Sequence, residues 1–94
     1  MSNLTSDLFL SPKTMRQRVY EFAKRKGFIN SIDLENLKDD IRHKEGIVKG
    51  LLRIHREARN LAQEGILRRL NKDEKLFRGF NPVYATYCWI GKNE

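Results

Sequence analysis

Residues 46–65 read GIVKGLLRIHREARNLAQEG, and this stretch decides the fold. At helical spacing its apolar residues, Ile47, Leu51, Ile54, Ala58, Leu61 and Ala62, fall on one side. An amphipathic helix buries such a stripe at a period of about 3.6 residues. The opposite side collects Lys49, Arg53, Arg56, Asn60 and Gln63, with no acidic residue among them. Arg and Lys suit guanine edges and phosphates, and Asn and Gln suit the adenine edge. Lys49, Arg53, Arg56 and Asn60 follow at steps of four, three and four residues. A single helix over residues 47–64 would align them in one strip about three turns long, with Gln63 at its lower end.

Downstream, Gly65 closes the helix and residues 66–70, ILRRL, read as a strand. Residues 71–75, NKDEK, read as a polar turn, and Gly79, Asn81 and Pro82 add further turn signals. Residues 83–90, VYATYCWI, are rich in β-branched and aromatic types and predict a second, longer strand. Tyr87 and Trp89 share a strand face with Val83 and Ala85, which favours core packing over base stacking or a dimer contact.

Upstream, Ser11 and Pro12 are a cap and first-turn pair that opens a helix reaching about Lys26. Met15, Val19, Phe22 and Ala23 form its inward stripe, and Gly27 is the stop. Phe28 and Ile29 can pair as a brief strand. Asn30 or Ser31 then caps a second helix, SIDLENLKDDI, with Leu34, Leu37 and Ile41 inward. Its end stays open between Lys38 and His43. Residues 1–11 read as an arm whose Leu8, Phe9 or Leu10 can dock on the core, and residues 92–94 as a tail.

Ninety-four residues support one domain with one small core. A hydrophobic content of 39% against 33% charged describes a folded, well-solvated chain. The net charge of +7 favours a polyanionic partner, nucleic acid ahead of an anionic membrane surface. The charge is also segregated. Residues 12–26 carry six bases and one acid, residues 27–41 one base and four acids, and residues 42–59 six bases and two acids. The single cysteine, Cys88, permits no internal disulfide, which fits a reducing compartment and a cytoplasmic location. The apolar runs are too short for a membrane span.

Signals for catalysis are poor. His43 and His55 lack metal-ligand spacing, and no Gly-rich phosphate loop or serine elbow occurs. The expectation is a non-enzyme with no metal, no cofactor and no small-molecule substrate.

The order helix, short strand, helix, helix, strand, loop, strand resembles the winged helix–turn–helix family. The most specific local match is RNLAQEGILRR at residues 59–69. It is similar to the family's junction between recognition helix and first wing strand. VYEFAKRKGF at residues 19–28, followed by a capped helix, resembles the family's opening. The stretch between Leu37 and Leu51 departs from the pattern, being longer than a tight turn needs. That leaves the start of the recognition helix open.

The resemblance covers residues 12–91 and implies an α+β fold, a three-helix core with a C-terminal β-hairpin wing. It implies a third helix lying in the major groove of double-stranded DNA. Arg53, Arg56, Asn60 and Gln63 are then candidates for reading bases, and Arg42, Lys44, Lys49 and Arg59 for holding phosphates. The wing candidates are Arg68, Arg69, Lys72, Lys75 and Arg78, of which Arg68 and Arg69 must point to opposite strand faces. The expected function is a small, sequence-specific transcriptional regulator, acting alone or as a homodimer. Its rivals are an RNA-binding protein of a ribonucleoprotein and a winged-helix protein-interaction module.

Overall fold

The computed structural model describes residues 13–91. Within them lie four α-helices, one 3-10 turn and a three-stranded antiparallel sheet, so the chain is α+β. Helix α1 spans Met15–Lys26. Its cap is Thr14, three residues beyond the expected Ser11, which lies outside the described residues together with Pro12 and the arm. The Thr14 hydroxyl accepts from the Gln17 amide at 3.1 Å, and the Gln17 side chain accepts from the Thr14 amide at 3.0 Å. This reciprocal box satisfies two of the helix's orphan donors. Met15, Val19 and Ala23 are buried at intervals of four, and Phe22 packs at the margin.

Strand β1, Phe28–Asn30, runs directly into helix α2, Ser31–Glu45. Asn30 ends the strand and caps the helix, exchanging bonds of 2.8 and 3.0 Å with Asp33. Helix α2 extends past the expected limit of His43 and buries Leu34 and Ile41.

The third helix is shorter than residues 47–64. Gly46 and Gly50 both have φ above +80°, a left-handed setting that other residues rarely adopt. Residues 46–50 therefore form a connection, followed by a 3-10 turn at Leu51–Arg53 and helix α3 at Ile54–Gln63. A Cβ at Gly50 would lie 3.1 Å from the Met15 Cβ, so the loop also needs a small residue where it crosses α1. Two expectations fail here for the same reason. Ile47 is 70% exposed instead of joining the core stripe, and Lys49 sits in the connection, off the helical strip.

Strand β2 is Leu67–Arg69 and strand β3 is Thr86–Trp89, each shorter than its apolar run suggested. The expected polar turn at 71–75 is part of helix α4, Lys72–Phe77. Asn71 caps it, accepting from the Glu74 amide at 2.8 Å, while Glu74 accepts from the Asn71 amide at 2.9 Å. The segment between β2 and β3 is thus a helix-containing excursion and not a simple hairpin tip.

Strand order is β1-β3-β2. Register pairs Ile29 and Arg69 with Tyr87, Phe28 and Arg68 with Cys88, and Leu67 with Trp89. One sheet face therefore carries Ile29, Tyr87, Leu67 and Trp89 toward the helices. Trp89 meets Tyr20 of α1 edge-on, with ring centroids 4.9 Å apart. The core between sheet and helices is closed by fully buried Val19, Leu34, Leu51, Ile54 and Leu61. Two bidentate pairs tie the frame. Arg16 of α1 grips Glu64 at 2.7 and 3.2 Å, and Arg18 grips Glu45 at 2.7 and 2.8 Å.

Candidate nucleic-acid interface

Helix α3 buries Ile54, Ala58 and Leu61, which fixes the direction of everything else on it. Turning 100° per residue, Arg56, Arg59, Asn60 and Gln63 fall on the side away from that stripe. Arg53, at the end of the 3-10 turn, joins them at the N-terminal end. Arg53, Arg56, Arg59 and Gln63 are exposed and Asn60 is half-buried. Among the described residues none of these five side chains has a hydrogen-bond or ion-pair partner within the chain. The flanking residues are occupied: His55 meets Glu35 of α2, and Glu64 meets Arg16. The helix is ten residues long, about 15 Å, and its Arg56 and Arg59, with Arg53 just before it, set three guanidiniums at three-residue intervals.

The acids show why this face is distinctive. Of the ten acidic residues described, eight lie within ion-pair distance of a base, Glu57 and Asp73 being the exceptions. Several are held as anions by those partners. The Arg18 guanidinium lowers the pKa of Glu45, and hydrogen bonds from His55 and Lys38 lower that of Glu35. Glu74 is lowered first by the Asn71 amide and then by Arg68. The paired acids thus sit with bases of α1, α2 and β2 or with His55, and none of them pairs with a base on the outer face of α3, which stays positive; Lys24 and Arg25 of α1 also have no ion-pair partner among the described residues.

Of the expected phosphate contacts, Arg59 is on this face. Lys49 is exposed in the connection before it. Arg42 and Lys44 occupy the last turn of α2, where they pair with Asp39 at 2.8 Å and Asp40 at 3.4 Å. Both pairs are exposed, and exposed pairs are weak enough to exchange for a phosphate.

The five expected wing cations divide. Lys75 is buried, and its Nζ donates to the carbonyls of Pro82 and Tyr84 at 2.8 and 3.0 Å. It ties the excursion together and is not a surface cation, because a buried ammonium is tolerated only with such acceptors. Arg68 pairs with Glu74 at 2.8 Å. Arg78 lies 4.8 Å over the ring of Phe28, which also packs on Phe80. These contacts cover the sheet face that points away from the helices. Lys72 is exposed, and Arg69 is exposed on the other face, in the row of Ile29 and Tyr87.

Arg69 consequently comes to the α3 side. Arg59 and Arg69, with Ser31 and His55, line one cleft of about 290 Å³ floored by Leu34 and Tyr87. The sequence did not join these two arginines, because only the strand register shows which of Arg68 and Arg69 faces α3. Ser31, in the first turn of α2, was not singled out beyond capping. Among the described residues no group of three or more His, Cys, Asp or Glu could hold a metal ion, and no helix is long and apolar enough to cross a membrane. No family model matches this chain, and neither a curated protein nor a solved structure matches it.

Proposed function

We propose that this protein is a winged helix–turn–helix protein that binds double-stranded DNA with sequence preference, as a small transcriptional regulator. In this reading α2 and α3 form the helix–turn–helix pair, and residues 46–53 are its extended turn. Helix α3 enters the major groove, which is about 12 Å wide and admits a helix. Arg53, Arg56, Asn60 and Gln63 meet base edges, where Arg suits guanine and Asn or Gln suits adenine. Arg59, Arg69 and Lys49 hold phosphates beside them, and Arg42 and Lys44 exchange their helix partners for phosphates at the margin. Lys72 lies on the excursion that would serve as the wing.

The single observation that carries this reading is the outer face of α3. Three arginines, an asparagine and a glutamine share it without an intramolecular partner, in a chain whose acids are largely paired elsewhere. A helix face solvated for its own sake would be expected to include acids, and this one has none.

The test is selection from a random duplex pool, followed by affinity measurement across a salt series. An enriched motif is expected, with affinity falling steeply as salt rises, because Lys and Arg contacts displace condensed counterions. A flat salt response rules out phosphate-dominated binding. Preferential competition by structured RNA at matched salt assigns the surface to RNA instead.

A second reading, a protein-interaction module, is favoured by one feature. Phe77 is 90% exposed and Val83 80% exposed, beside Leu76, on the excursion between β2 and β3. In that case affinity for nucleic acid should be weak and without sequence preference.

A further inference from the structure

The cleft of about 290 Å³ bounded by Ser31, His55, Arg59, Arg69 and Tyr87 contains a polar group that core packing does not explain. Tyr87 is 4% exposed, and its ring belongs to the core. Its hydroxyl has no hydrogen-bond partner among the described residues, yet it is not shut off from water. Its opening to solvent is the cleft that Tyr87 lines. Buried polar groups are hydrogen-bonded as a rule, and an exception at the floor of a cleft points to a ligand. We infer that this cleft is a receptor for one phosphate group, to which the Tyr87 and Ser31 hydroxyls donate while Arg59 and Arg69 supply the charge. The inference rests on the DNA-binding reading, which gives Arg59 and Arg69 to phosphates, and adds the site at which the two act together. The phosphate comes from a duplex strand or from a small free phosphate, two sources of one chemistry.

The backbone brings these donors to one place. Arg69 and Tyr87 are directly opposed across β2 and β3, and side chains facing each other in this way have Cβ atoms about 4.5–5.5 Å apart. The Ser31 amide donates to the Ala85 carbonyl at 3.0 Å, which fixes the start of α2 beside the chain two residues before Tyr87. That bond uses the amide, so Ser31 offers its hydroxyl, which has no partner among the described residues. Arg59 follows His55 by one turn of α3, so both reach the same wall.

The charge of the cleft is one-sided. Neither Arg59 nor Arg69 has a carboxylate within ion-pair distance among the described residues, and no acid lines the cleft. Strands β2 and β3 contain no acid. Glu35 holds the Nε2 of His55 without lining the cleft, and it is itself met by Lys38 at 3.2 Å. Asp33 is occupied by the Asn30 amide, and Glu57 lines a separate groove. A tetrahedral anion with several acceptor oxygens matches two guanidiniums and two hydroxyls, the donor types that phosphates take.

The test compares the full chain with Tyr87→Phe, which removes the hydroxyl and keeps the ring. In the first arm, inorganic phosphate and thymidine 5′-monophosphate are each titrated at constant ionic strength, with chloride as the balancing anion. The amide resonances of Ser31, Arg59, Arg69 and Tyr87 are followed by NMR. In the second arm, the affinity of both proteins is measured for a selected duplex and for a scrambled one. Saturable shifts that need at least about fivefold more ligand in Tyr87→Phe assign the cleft to free phosphates. A loss of at least about fivefold on both duplexes alike, without saturable shifts in the first arm, assigns it to a backbone phosphate. A smaller change in both arms, or none, overturns the inference and leaves the DNA-binding reading standing wherever the duplex is bound. If the unaltered chain binds no duplex, that reading falls, and the first arm alone decides: saturable shifts weakened in Tyr87→Phe support the cleft, and their absence overturns it. Should Tyr87→Phe not fold by urea unfolding, Ser31→Ala is read by the same two arms with the same outcomes.

Discussion

Truncating Leu61 to alanine tests the phasing of α3 on which the candidate interface depends. Leu61 is fully buried, at the centre of the contact between α3 and the rest of the core. The change removes about three methylene equivalents, or roughly 2.4 kcal/mol of transfer free energy at about 0.8 kcal/mol each. The cavity that remains raises the cost, so Leu61→Ala should destabilise by about 2–5 kcal/mol. With a urea dependence of about 1–2 kcal/mol per molar for a small domain, the unfolding midpoint should fall by roughly 1–5 M. The comparison is Leu76→Ala, the same chemical change at a half-exposed position on α4. That variant should stay within about 0.5 kcal/mol of the parent. Equal shifts for the two variants, or no shift for Leu61→Ala, would refute the phasing. Arg56, Asn60 and Gln63 would then no longer face outward together.

Lys75→Ala should cost about 1–3 kcal/mol in thermal unfolding, because the Pro82 and Tyr84 carbonyls lose a charged donor. The folded variant should keep its affinity for nucleic acid. Arg69→Ala should do the reverse, leaving stability within about 0.5 kcal/mol while reducing the slope of log affinity against log salt by about one contact. Stability should fall on acidification below about pH 4.5. Arg18 holds the Glu45 carboxyl below its ordinary value in the folded state, so the pair's contribution is fully present above that pH. It is lost as pH falls through the lower folded value, and urea midpoints from pH 6 to 3 should decline less steeply in Glu45→Gln. Asn30→Ala removes the cap at the junction of β1 and α2 and should cost about 1 kcal/mol in the same unfolding assay.

Much of this architecture was legible because its signals are local. The stripe Met15, Val19, Ala23 with Gly27 behind it marked α1 and its end. Phe28 and Ile29 before Asn30 marked a brief strand and a cap. The stripe Ile54, Ala58, Leu61 fixed the orientation of α3, and with it the outward Arg56, Arg59 and Asn60.

What escaped was set by backbone sign and by tertiary pairing. Gly50 stood inside the helix expected at 47–64, yet both it and the preceding Gly46 take positive φ, which removed Ile47 and Lys49 from the helix. Asn71 and Glu74 stand at the spacing of a capping box, but polar composition made them look like a turn. Lys75 looked like a surface cation because nothing local shows that the carbonyls of Pro82 and Tyr84 return to it. The choice between Arg68 and Arg69 needed the register against β3.

The most direct test removes two positive charges from either of two places. One variant carries Arg53→Ala and Arg56→Ala on the α3 face, and the other Lys24→Ala and Arg25→Ala on α1. Both lower the net charge equally, so a general electrostatic attraction predicts equal losses of duplex affinity. With a selected duplex, measured by fluorescence anisotropy at one salt concentration, the α3 variant should lose at least about tenfold more affinity. That factor corresponds to about 1.4 kcal/mol, the scale of one lost base contact. The α3 variant should also lose preference for the selected sequence over a scrambled one. Equal losses in the two folded variants, or an undiminished preference in the α3 variant, would contradict α3 as the element that reads DNA.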